Sequence, residues 1–129
     1  MDAGTLSATQ ALFWLGVAVL MAHELDAVRA REWRLLYVLR RLPEESARAA
    51  FIVLHVPLVM AMIWLGGFPD PAVRTPFQAA LDLFLIVHAG LHKRLEHHPF
   101  SDFDGALSRA LIIGAALAGA LHLVLLGLF

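Results

Sequence analysis

Apolar residues run through this chain in four long stretches, Gly4 to Ala22, Ala49 to Pro69, Thr75 to His92 and Ala110 to Phe129, with charge concentrated between them. A helix that crosses a bilayer needs about 20 mostly apolar residues. The pattern therefore predicts spanning helices at about 5–28, 48–67, 76–95 and 103–128. Gly66, Gly67, Pro69 and Pro71 punctuate a tight turn between the second and third of these. Ser101 and Asp104 have the spacing of a capping box, which predicts that the last helix begins near Asp102. Connections this short make neighbouring helices antiparallel. The expected fold is all-α: an integral membrane four-helix bundle, up-down-up-down, forming a single transmembrane domain over 1–129. Glu32 to Arg41 alternates apolar and basic residues at helical spacing and ends at Leu42-Pro43, so an interfacial helix or cytoplasmic extension is predicted after the first span.

Composition strengthens the membrane reading, with 60% hydrophobic residues and a mean hydropathy of +0.72. The first span is read as retained, because no basic segment precedes it and the acidic run His23-Glu24-Leu25-Asp26 follows it. Cysteine is absent, so any metal would be held by nitrogen and oxygen. The formal net charge of -1 says little about partners; from the membrane reading, membrane lipids and an apolar small molecule are expected and nucleic acid is not.

Charge distribution orients the bundle. Arg29, Arg31, Arg34, Arg40, Arg41 and Arg48 lie between the first two spans, and Lys93, Arg94 and Arg109 between the last two. Only Arg74 lies at the other end, so nine of ten basic residues place these loops in the cytoplasm and both termini outside. Trp14 and Trp64 are expected at the outer interface, Trp33 and Tyr37 at the inner one. The small residues from Gly114 to Ala120 allow another helix, or a second copy in a homo-oligomer, to approach closely.

That orientation groups the histidines. His23 falls near the inner end of the first span, His55 roughly 10 Å into the second, and His88 and His92 in the last turns of the third. An imidazole in hydrocarbon is costly unless paired, hydrated or metal-bound, so four at one depth predict a shared metal site. His88 and His92 share a helix face, Glu96 continues their stripe, and His97 and His98 follow as further candidate ligands. Glu24 and Glu96 are the candidate catalytic carboxylates. Asp26 is a candidate to bond the far nitrogen of a ligating imidazole and fix its tautomer. Asp82 and His122 belong to the outer half, where they are expected to form a separate pair.

The run His23-Glu24-Leu25-Asp26-Ala27-Val28-Arg29, with Arg31-Glu32-Trp33-Arg34, Leu54-His55-Val56-Pro57 and Val87-His88-Ala89-Gly90-Leu91-His92, resembles a family of small uncharacterised bacterial four-span membrane proteins over nearly the whole chain. The resemblance implies a bacterial inner membrane location and supplies no activity. The spacing of His88, His92, His97 and His98 is distantly similar to the histidine boxes of membrane fatty acid hydroxylases and desaturases, which hold two iron atoms. This chain departs from them in its wider gap before the His-His pair and in lacking a second such pair. The leading expectation is a membrane metalloenzyme, a diiron-type oxidase or hydroxylase, acting on a lipid or apolar molecule near the cytoplasmic leaflet with iron, as one or two ions, or zinc. The alternatives are a zinc-dependent membrane hydrolase and a non-enzymatic metal or proton carrier or accessory subunit.

Overall fold

The computed structural model describes residues 7–128. Four long helices follow in order: α1 (Ala8–Arg29), α2 (Glu44–Gly66), α3 (Pro71–Arg94) and α4 (Ala106–Leu125), with two short 3-10 helices, Glu32–Arg34 and Leu39–Arg41, between α1 and α2. No strand occurs among the described residues.

Local chemistry sets the helix ends. The Ser7 hydroxyl accepts from the Gln10 N–H at 3.2 Å and opens α1. Residues 5 and 6, where the first span was expected to begin, lie outside the described residues. Helix α2 starts directly after Pro43, which cannot continue a helix backwards, and places Glu44 and Glu45 in its positive first turn. The Asp70 carboxylate caps α3 by accepting from the Ala72 N–H at 2.8 Å, and α2 runs through Pro57 without a break.

Three expectations need correction. The last helix begins at Ala106 behind Gly105, with no side-chain cap, so Ser101 and Asp104 do not form the predicted box. The reason is Phe103, which is buried against the His23 and His92 rings and draws residues 101–104 out of helical geometry. The segment after α1 is likewise two 3-10 turns instead of an interfacial helix. Trp33 is pulled inward to 2% exposure, where it packs on Phe51 and leaves the expected interfacial belt.

The four expected spans become three. Helices α1, α2 and α4 are long and apolar enough to cross a membrane, which makes a membrane location the natural one. Helix α3 falls short because Arg74, Gln78, Asp82, His88, His92, Lys93 and Arg94 lower its hydropathy. Lys93 and Arg94 at its end are exposed, but the polar residues in its middle are not on the outside. Gln78 and Asp82 are buried while Leu83, Phe84, Val87 and Leu91 are exposed, the reverse of a water-facing helix.

Helix α4 packs against both α1 and α3, and α2 attaches mainly through α3 and the 3-10 segment. Small residues explain the close α4 contacts. Gly119 lies over the α3 backbone so tightly that a Cβ there would come within 3.0 Å of the Asp82 carbonyl oxygen. At the loop-rich end, Ala27, Ala30, Trp33, Phe51, Phe103 and Ile112 form one apolar core, which fixes the chain leaving α1.

Candidate metal centre

Helix α1 ends at Arg29, and Arg31 then adopts a left-handed backbone with φ 53°. A non-glycine residue in that conformation costs about 1–2 kcal/mol. Here it reverses the chain so that Glu32, in the first 3-10 turn, returns beside the end of α1 that carries His23. Burial of Trp33 locks the turn in place.

Glu32 is the residue on which the site converges. Its carboxylate lies 3.6 Å from His23 Nε2, 3.6 Å from His88 Nε2 and 3.7 Å from His92 Nε2. One ligand atom from each of His23, Glu32, His88 and His92 falls within 4.8 Å of all the others. The rings of His23, His88 and His92 stand edge-on, with centroids 4.5 to 5.0 Å apart. Phe84 stacks on His88, and Phe103 covers His23 and His92. The four side chains are 1% to 13% exposed.

These separations are too long for hydrogen bonds. Neither ring nitrogen of His23 has a hydrogen-bond partner, and Glu32 Oε2 is also buried without one. Buried polar atoms left in this way are costly. Ligand atoms about 2.0–2.1 Å from a tetrahedral ion sit roughly 3.4 Å from one another, so a set spread over as much as 4.8 Å would have to draw inward by small side-chain rotations to close on an ion. Three nitrogens and one oxygen without sulfur suit zinc and iron. Burial would push the Glu32 carboxyl up, but the three imidazoles outweigh it and hold the group well below the usual carboxylate range.

A family model matches residues 9–128. The chain belongs to the family of unknown function DUF6713. No curated protein and no solved structure matches it. Membership agrees with the resemblance to an uncharacterised family, whereas nothing carries the histidine-box similarity beyond spacing.

The remaining sequence candidates of this DUF6713 member lie elsewhere. His55 is engaged at both ring nitrogens: Nδ1 donates to the Phe51 carbonyl oxygen at 2.6 Å and Nε2 contacts a Glu24 carboxylate oxygen at 2.6 Å. Neither His55 nor Glu24 joins the cluster. The side chain of His97 is 93% exposed beside Glu96, and His98 Nδ1 accepts from the Phe100 N–H at 3.1 Å. Glu96 is held by Lys93 at 2.7 Å, and that bond lowers its pKa. Asp26 binds Arg29 and the Ser108 hydroxyl. Asp82 and His122 Nδ1 pair at 2.6 Å deep in the bundle, apart from the cluster.

The sequence reading missed Glu32. Its signal was present, since it is an acid in the basic segment from Arg29 to Arg41, nine residues after His23. Helical periodicity could not show the left-handed Arg31 that brings it back.

Proposed function

We propose that this chain is a membrane-embedded metalloenzyme that holds one divalent metal at His23, Glu32, His88 and His92 and acts on a lipid or other apolar small molecule. The observation that carries the reading is the set of four converging ligand atoms, with both His23 ring nitrogens and Glu32 Oε2 buried without a hydrogen-bond partner. The outward apolar face and inward polar face of α3 support its place in the membrane as a fourth spanning element. The basic residues flanking the α1–α2 and α3–α4 connections support a cytoplasmic position for the metal end, with the termini outside, in a bacterial inner membrane.

Iron is the preferred occupant for a catalyst. Catalytic zinc keeps one of four positions for water, so three histidines and a glutamate would close its shell and make it structural. Iron accepts further ligands, and when bound it would supply redox chemistry with open positions beside the protein donors. Hydrolysis would also want a free base. Glu24 is engaged by His55 and Glu96 by Lys93, which favours an oxidase or hydroxylase over a hydrolase. A single ion is preferred to two because His55, His97 and His98 are elsewhere.

Elemental analysis of the purified full chain tests this. About one iron per chain is expected, lost in His88→Ala and Glu32→Ala. Zinc in the same position would retain the centre and overturn the catalytic reading. Folded, metal-free wild type would overturn both.

A further inference from the structure

A cleft of about 580 Å³ lies between α3 and α4 under the 95–104 segment, and His92 forms part of its wall. Ala89, Ile112 and Ile113, with Phe103 above them, make its apolar part. Ile113 is 55% exposed, so this part opens sideways towards the space that acyl chains would fill. Lys93 and Arg109 stand one helical turn nearer the loop, about 5 Å along each helix. The cleft is therefore charged at one end and apolar at the other, with His92 alongside.

The charges are not equivalent. Glu96 already engages Lys93 at 2.7 Å and His97 at 3.4 Å. Asp104, the other acid of the lining, is exposed and makes no bond to Arg109. Arg109 makes no ion pair within 4.0 Å and no side-chain hydrogen bond among the described residues, and its charge reaches Glu96 only at longer range. A guanidinium without a close partner above an apolar slot matches a carboxylate or phosphate bearing one alkyl chain, because its planar donors pair with two oxygens at once.

We infer that this cleft binds a single-chain anionic amphiphile, with its carboxylate or phosphate on Arg109 and its chain along Ile112 and Ile113, past the metal centre at His92. As a statement of substrate class it rests on the metalloenzyme reading, whereas the binding itself rests on the cleft alone. The shared chemistry has two sources in a membrane, a free fatty acid and a phosphate-bearing lysolipid.

Saturable binding of radiolabelled palmitate, palmitoyl lysophosphatidate and hexadecanol to the full chain in phosphatidylcholine nanodiscs decides it. At least one anionic probe is expected to bind about tenfold more tightly than the alcohol, the worth of a charge-assisted bond. Preference for palmitate identifies the fatty acid source, and preference for lysophosphatidate identifies the phosphate. Arg109→Gln should erase the advantage over hexadecanol, Arg109→Lys should retain most of it, and Ile113→Trp should weaken all three probes. Equal affinities in wild type, or an advantage that survives Arg109→Gln, would overturn the inference. Metal content is read in the same samples. Missing metal with the anion preference intact overturns the catalytic reading alone, and metal without that preference overturns this inference alone.

Discussion

Two buried polar clusters occupy this bundle, and they solve the same problem in opposite ways. In the half of the bundle nearer the chain termini, Asp82 and His122 are 2% and 0% exposed and bond each other at 2.6 Å, while Gln78 Nε2 donates to the Gly66 carbonyl oxygen at 2.8 Å. At the other end, His23, Glu32, His88 and His92 keep 3.6 to 3.7 Å between nitrogen and oxygen, with His23 unpartnered. Polar groups that close on one another offset most of their burial cost, and groups held just beyond hydrogen-bond reach leave room for a ligand. Burial and residue type are alike in the two clusters, and His122 Nε2 is itself buried without a partner, so the separation between nitrogen and oxygen is the discriminating quantity.

The largest expected break in that contrast is at the metal end. Replacing one of four ligands, as in His88→Ala, should weaken metal retention at least about 100-fold, beyond what loss of a supporting bond costs. Without its ion the protein also loses the stability that binding supplied, about 4 kcal/mol when metal stands at 1,000 times its Kd. Metal analysis and thermal unfolding in detergent read these two effects. Asp82→Asn should leave metal content unchanged, and parallel metal loss in that variant would dissolve the distinction.

The Asp82–His122 pair should respond with stability alone. His122→Leu strands a buried carboxyl group and should cost about 3 kcal/mol, whereas the double variant with Asp82→Leu should recover most of that loss, because the pair is removed as a unit. Thermal unfolding of the two singles and the double closes the cycle, and additive losses would show that the two groups do not depend on each other. A step smaller, Gly119→Ala should cost about 1–3 kcal/mol. Its new methyl group meets the Asp82 carbonyl oxygen at 3.0 Å, in a backbone contact that no side-chain rotation relieves.

The contrast also explains what could be read from the chain alone. Helix number, order and antiparallel packing were legible because hydropathy and turn residues are local signals. So was the grouping of His23 with His88 and His92, because topology sets depth and an i,i+4 spacing sets a shared face. Rotation about each helix axis was not legible. Glu24 is the neighbour of His23 in sequence yet points about 100° away, towards α2 and His55, and so leaves the site. Glu32 enters it through a single left-handed residue, which no periodicity encodes. Helix α3 was read as a plain span because its stretch is long. Its buried Gln78 and Asp82 are the reason that composition alone does not support that reading.

Glu24 and His55 sharpen the comparison further, since they form a third polar cluster that is partly exposed, at 19% and 24%. They resemble the Asp82–His122 pair in bonding at 2.6 Å, and they line an apolar cleft of about 450 Å³ between α1 and α2. His55→Phe should therefore cost about 1 kcal/mol, the scale of a hydrogen bond between membrane helices, and spare the metal. Metal loss in this variant would move His55 back into the centre.

The smallest expected effect, and the one of opposite sign, is at Arg31. The end of the bundle near the C-terminus uses Gly127 for its positive φ of 75°, where no side chain is strained. The metal end uses an arginine at φ 53°, and its side chain reaches only to 4.0 Å from Glu44. Arg31→Gly would remove about 1–2 kcal/mol of backbone strain and add about 0.4–1 kcal/mol of unfolded-chain entropy. Thermal unfolding should thus show a net gain of roughly 0.5 kcal/mol with full metal content. If the variant instead loses metal while remaining folded, the strained turn is needed to hold Glu32 against the histidines, and the backbone at this end is as much a part of the centre as its ligands.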